Sequence, residues 1–289
     1  MSRVKSLFRL GPPFDPNHRF ETSSVLSPYA LGGIRALFAV YGIATIIVSA
    51  TVRTSPTPAQ SFSYFSNITW WGITWYHMLA AFHTLSYART GRAPLERWWP
   101  FLQAAHATLW TTVVTFPLMV TVVFWGMQFT PGKFDTAANV WSNISHHALN
   151  SAFAVFEIIF ARTERPPLIH GPLVVLLLGG YAGVAYITHA TEAFYTYGFL
   201  DPSKRGVGAQ IGIIIAMGGI VIGLFIAVSC LVWLRLWVAE EKLGLRGKFA
   251  ERDRAQAATQ SVESVELGGV TDKEEREILE QGESAASWV

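Results

Sequence analysis

Positions free of Asp, Glu, Lys and Arg fall into six long runs along the chain: 36–52, 54–88, 98–132, 136–156, 166–191 and 206–234. Roughly 20 helical residues at ~1.5 Å each cross the hydrocarbon of a bilayer, so every run holds one helix of spanning length. Pro and polar residues inside the longer runs mark helix starts, as in TSPTPAQ before the second helix and TPGKFD before the fourth. The pattern predicts an all-α polytopic membrane protein with six transmembrane helices, at about 34–52, 62–87, 102–127, 137–160, 173–190 and 207–237. Around this core (31–238) lie a polar, Pro-rich arm at 1–30 and a charged, largely disordered tail at 239–289. Arg35 is expected to snorkel to the membrane surface and Pro117 to kink the third helix.

The fourth run departs from a plain apolar span. The stretch AANVWSNISHHALNSAFAVFEIIF, residues 137–160, carries Asn143, His146, His147, Asn150 and Glu157. At about 100° per residue, Asn143, Asn150 and Glu157 share one stripe, flanked by the two histidines. Polar groups at membrane depth are costly and normally face a bundle interior or a watery cavity. The helix therefore reads as the wall of a site, with interhelical hydrogen-bonding as the blander reading.

Charge then sets orientation. Arg3, Lys5, Arg9 and Arg19 precede the first helix; Arg89, Arg92 and Arg97 follow the second; Arg162 and Arg165 follow the fourth; Arg235, Lys242, Arg246 and Lys248 close the sixth. The opposite side has Arg53, Lys133, Lys204 and Arg205, so both termini are expected in the cytosol. A 51% hydrophobic content against 15% charged residues excludes an ordinary soluble domain. A net charge of +2 leaves no nucleic-acid footprint. Cys230 is the single cysteine, so no intrachain disulfide or Cys-based metal site can form, and no metal or cofactor is expected. The first 30 residues lack the apolar core of a signal peptide, so the first helix is expected to act as an uncleaved targeting signal. Two sequons, Asn67-Ile68-Thr69 and Asn143-Ile144-Ser145, fall inside expected spans and read as hydrogen-bonding positions. In the tail, Thr271-x-x-Glu274 is a capping pattern, and Ser287-Trp288-Val289 fits a PDZ-type ligand end.

Topology brings three groups toward the non-cytosolic side: Ser66 early in helix two, His147 in helix four and His189 at the outer end of helix five. Ser66 and His147 differ in depth by roughly 7 Å at helical rise, which tilt can absorb. A Ser hydroxyl within reach of an imidazole is the minimal nucleophile-plus-base pair for acyl transfer. Asn143 and Asn67 are placed to orient the ring or hold an oxyanion. His77 shares the face of Ser66 but lies deeper, while His83 and His106 sit toward the cytosolic side as bundle or interface residues. The pairs His83/His106 and His147/His189 also permit a bis-His haem electron carrier as a rival. An intramembrane serine protease is a further option, without a Gly-x-Ser motif around Ser66.

The segments SYFSNIT (63–69), WSNISHHALNSAFAVFEIIFART (141–163) and HATEAFYTYGFLD (189–201) resemble the androgen-induced-gene family of membrane proteins, which includes the androgen-dependent TFPI-regulating protein. The resemblance covers roughly residues 30–237. It implies a six-helix hydrolase of fatty acid esters of hydroxy fatty acids, with an intramembrane Thr nucleophile and a His. The position matching that Thr is Ser66, a departure that keeps a hydroxyl nucleophile. The family's His, ten residues before a Glu that precedes a basic residue, matches His147, Glu157 and Arg162. Asn143 matches the family's Asn, and His189 its His before the segment with Tyr197, Phe199 and Leu200. The implied catalytic pair is Ser66 and His147, supported by Asn67, Asn143, His189 and Glu157. The expected partner is a lipid ester within the bilayer, with Tyr64, Phe65, Trp70, Trp71 and Trp141 as acyl-channel or aromatic-belt residues. The expected location is an endomembrane or the plasma membrane. The strongest rival is a non-enzymatic lipid- or partner-binding membrane protein.

Overall fold

The computed structural model describes residues 14–52, 58–134 and 136–250, so the expected tail features beyond residue 250 lie outside the described residues. The described chain is all-helical. Helix α1 (Pro28–Val52) starts with Pro at its first position, and the Ser27 hydroxyl accepts the Ala30 N–H at 3.2 Å. Its start lies six residues earlier than the charge pattern placed it, because Pro28 and Ser27 set the boundary. Helix α2 (Phe65–Thr90) ends at Gly91 in the left-handed region (φ 70°), whose N–H returns to the Tyr87 carbonyl.

Helix α3 (Pro100–Val123) contains Pro117 and runs into a π turn at Phe124–Gln128. Helix α4 is composite: Ala137–Ile144, a π turn at Ser145–Leu149, then Asn150–Phe160. Thr136 caps it by accepting the Asn139 N–H. Helices α5 (His170–Glu192) and α6 (Val207–Leu236) complete the bundle, with a final π turn at Trp237–Lys242.

Four of these segments are long and apolar enough to cross a membrane: Pro28–Thr51, Pro100–Gln128, His170–Glu192 and Val207–Lys242. The other two, α2 and α4, bring polar side chains into the bundle interior, among them Thr69, His77, Asn150 and Glu157. Asn150 donates there to Thr69 Oγ1, and Glu157 pairs with Arg35. Outward faces of α1, α5 and α6 expose Leu37, Val40, Ile47, Leu176, Ile187 and Ile215, the surface a lipid environment would cover.

Two apolar clusters fill the interior. Trp70, Ile73, Tyr76, Trp110, Val114 and Phe153 join α2, α3 and α4. Phe65, Phe116, Val120, Val174, Met217 and Val221 join α2 and α3 to α5 and α6. Helices α1 and α2 approach closely at Gly42, where an added Cβ would collide with the Thr74 side chain. Small residues at such crossings let backbones pack in the absence of a hydrophobic drive within lipid.

The two described ends of the chain close the same end of the bundle. Ser23 bridges both Ala161 and Lys248. Arg19 reaches Glu240 through two bonds of 2.9 and 3.0 Å. Just inside this closure Arg35 is fully buried, against the expectation of snorkelling. Its guanidinium grips the Glu157 carboxylate at 2.8 and 2.7 Å and donates to Thr84 Oγ1 and the Phe20 carbonyl. The physical reason is the partner: a carboxylate on α4 at the same depth satisfies the charge more fully than a surface excursion.

Candidate active site

At the opposite end of the bundle, where α2 and α4 begin, the helices enclose a cavity of about 820 Å³. That is within the usual range for a small-ligand or lipid-chain site. Ser66, Asn67, Asn143, His146 and His147 all line it. Four of the expected site residues therefore meet in one space: Ser66, His147, Asn67 and Asn143.

Ser66 is the second residue of α2, whose preceding residue Tyr64 offers no side-chain cap. A distant loop faces this helix start: the Tyr197 hydroxyl stands near the Ser66 side chain and the backbone N–H groups of Ser66 and Phe65. These N–H groups are among those a helix start leaves without internal partners. Burial pushes the Tyr197 phenol above its ordinary range, so it stays a neutral O–H beside the serine. Tyr181 buttresses this arrangement, donating to the Ser63 carbonyl at 3.1 Å, and Thr188 donates to Ser63 Oγ at 2.8 Å. Asn67 donates one amide hydrogen to the Ser61 carbonyl at 3.0 Å, which fixes its side chain at the cavity wall. At the start of a helix, developing negative charge on the Ser66 oxygen also meets the positive end of the α2 dipole.

His147 sits in the π turn of α4. The longer register of that turn displaces backbone carbonyls from their usual partners, and side chains of α3 take them up. Thr121 Oγ1 donates to the His147 carbonyl at 2.6 Å, and Trp125 Nε1 at 3.2 Å. Ser151 Oγ lies 2.6 Å from Thr121 Oγ1 and donates to the Pro117 carbonyl at 2.8 Å. The His147 ring packs on Phe124, with centroids 3.6 Å apart. Phe124 opens the π turn of α3, so two π turns face each other across the cavity wall. His146 points differently: its Nδ1 meets the Ser142 carbonyl at 2.8 Å and its ring lies 5.3 Å from Trp70.

The remaining expected residues lie elsewhere. His189 stacks on Tyr195 at 3.7 Å, and Glu157 belongs to the Arg35 cluster with Tyr76 and His77. His77 is fully buried there, 3.5 Å from the carboxylate. His83 and His106 form a packed aromatic group, their rings 5.5 Å apart and perpendicular, with Trp98 4.7 Å from His83 and Phe20 5.3 Å from His106. Of the aromatic candidates, Tyr64 and Phe65 line the cavity, whereas Trp70 fills the core and Trp71 packs with Phe62 and Trp75. Trp141 packs against Tyr41. Tyr197, Tyr181 and Thr121 are site-forming residues that spacing did not single out. Among the described residues, no three His, Cys, Asp or Glu side chains stand together as a metal-binding group.

The chemistry available includes the hydroxyl of Ser66, the imidazoles of His146 and His147 and the carboxamides of Asn67 and Asn143, facing a cavity with a largely apolar wall. Its walls are Met119, Val120, Val123, Val175, Leu178 and Met217. Compared with protein-family models, curated proteins and solved structures, the chain matches none of them.

Proposed function

We propose that the protein is an integral membrane lipid-ester hydrolase that uses Ser66 as nucleophile and His147 as base. The observation that carries this reading is the convergence of Ser66, Asn67, Asn143 and His147 on one apolar-walled cavity. The proposed topology has six spans, α1 to α6, with both termini cytosolic, supported by the Lys and Arg of the arm, the connections and the tail. The cavity then opens toward the non-cytosolic half of an endomembrane or plasma membrane.

In the proposed reaction the Ser66 oxygen attacks the ester carbonyl carbon while its proton passes to His147. The carboxamides of Asn67 and Asn143 stabilise the oxyanion. Cleavage of the ester C–O bond releases the hydroxy compound, which takes the proton from His147. Water, activated by the same imidazole, then frees the acyl group from Ser66. Fatty acid esters of hydroxy fatty acids are the proposed substrates, a reading supported by the three segments resembling the androgen-induced-gene family.

The test is labelling of detergent-solubilised protein with a fluorophosphonate, comparing the wild type with Ser66→Ala and His147→Ala. Labelling that both substitutions abolish is the expected result. Absence of labelling in folded wild-type protein would overturn the hydrolase and favour a lipid-binding role, which the cavity volume alone also accommodates.

A further inference from the structure

Two charged groups of the cavity play no part in the ester chemistry. Lys204 and Arg205 line it, at the end of the one-turn helix Pro202–Arg205. Among the described residues no carboxylate side chain lines the same space. The cavity therefore combines long apolar walls with a net positive end.

The position of the cations follows from the loop that caps α2. Lys204 Nζ lies 3.7 Å from the point a Cβ on Gly198 would occupy. Gly198 directly follows Tyr197, whose hydroxyl contacts Ser66. The ammonium thus stands beside the same loop turn that holds the candidate nucleophile. A side chain at Gly198 would fill the space against which Lys204 rests.

Asp201 is the nearest acid, and its Oδ2 is 3.8 Å from Lys204 Nζ, the outer limit of an ion pair. Its other oxygen is occupied by the Ser203 N–H at 2.9 Å and hydroxyl at 2.6 Å. The Lys204 side chain is 64% exposed. An ammonium held so loosely keeps donors for another anion.

We propose that Lys204 and Arg205 form the head-group site of the cavity, binding the anionic head of a lipid whose chain lies along the apolar walls. The inference rests on the lipid reading of the cavity and is independent of hydrolysis. It predicts selection of an acid head over a neutral one of equal chain length. A carboxylate and a phosphate share this chemistry. A guanidinium offers either of them a two-pronged contact and an ammonium a point charge.

The test uses full-length protein in a neutral detergent and three probes without an ester: palmitic acid, hexadecyl phosphate and hexadecanol. Binding is read by displacement of radiolabelled palmitate and by thermal stabilisation. Wild type is expected to bind one or both acids at least roughly tenfold more tightly than hexadecanol, with the gap narrowing as salt rises. The relative affinity of the two acids assigns the head. The double variant Lys204→Gln/Arg205→Gln is expected to abolish the gap while leaving hexadecanol affinity unchanged, which also reports that the cavity is folded. Equal binding of acid and alcohol by wild type, or a gap that survives in the double variant, would overturn the proposal. Since no probe carries an ester, failure of the hydrolase reading leaves these outcomes fully readable.

Discussion

Arg35 and Glu157 form a fully buried, two-pronged ion pair 122 residues apart in sequence, with Nε–Oε1 2.8 Å and Nη2–Oε2 2.7 Å. The Tyr76 hydroxyl donates to the same carboxylate at 3.1 Å, and Thr84 and the Phe20 carbonyl take the two Nη1 hydrogens. Removing one partner strands a charge in the core, whereas replacing both by apolar groups removes the charge problem. Glu157→Gln and Arg35→Met are each expected to destabilise by about 3–5 kcal/mol. The double variant Arg35→Met/Glu157→Leu should recover most of that loss. Thermal unfolding in detergent checks this, and a double variant no better than the singles would contradict it.

The Tyr197 hydroxyl stands near Ser66 and the N–H groups at the start of α2, placed to cap the helix and to partner the serine. Tyr197→Phe keeps the ring, which stacks on Phe199 at 5.2 Å, and deletes the hydroxyl. One net hydrogen bond is about 1 kcal/mol of stability, and a comparable loss at a reacting oxygen slows chemistry roughly fivefold. A fall of that size in the fluorophosphonate labelling rate is expected, alongside a small drop in melting temperature. A drop in melting temperature with unchanged labelling would show a cap and nothing more.

Thr121 holds the π turn that presents His147. Thr121→Val preserves shape, removes the 2.6 Å bond to the His147 carbonyl and leaves Trp125 as the partner. A loss of about 1–3 kcal/mol is expected from a buried carbonyl that loses its shorter bond. Because the turn sets the ring's position, the labelling rate of Ser66 should fall in parallel, while Thr121→Ser restores both. Restoration by neither hydroxyl would place the π turn's support elsewhere.

The helices were legible because charge-free runs of spanning length leave few alternatives, and α2 and α4 stood out through their polar residues. What pairs with those residues was less legible. Asn143, Asn150 and Glu157 share a stripe only on a regular 100° helix. The π turn at Ser145–Leu149 breaks that register, so Asn143 reaches the cavity, Asn150 meets Thr69 Oγ1 at 3.0 Å and Glu157 finds Arg35. Arg35 reads as a surface-seeking residue because a sequence shows its place near a helix end and hides a carboxylate on another helix. The place of Tyr197 was equally hidden, since no local pattern links a loop tyrosine to Ser66, 131 positions earlier.

Acid dependence should come from the arm. Asp15 and Glu21 face one another in the docked arm, where Glu21 is buried. Burial drives the Glu21 carboxyl well above its ordinary 4.5, with the Asp15 charge adding to the shift and Arg35 opposing it. Burial likewise raises Asp15, against the Phe20 N–H at 2.9 Å and the nearby His18 and Arg19. Glu96, which pairs with His18 at 3.0 Å, is the remaining facing acid. Above the unfolded value the released arm is ionised while the docked arm retains its proton, so rising pH favours release. Stability of the arm-closed end is therefore fully present below about pH 4.5 and declines as pH climbs toward the folded value. Melting temperature of the wild type should fall as pH rises above the ordinary carboxyl value, and Glu21→Gln should flatten that slope and raise the melting temperature at the alkaline end. An unchanged slope in Glu21→Gln would remove the carboxyl pair as its source.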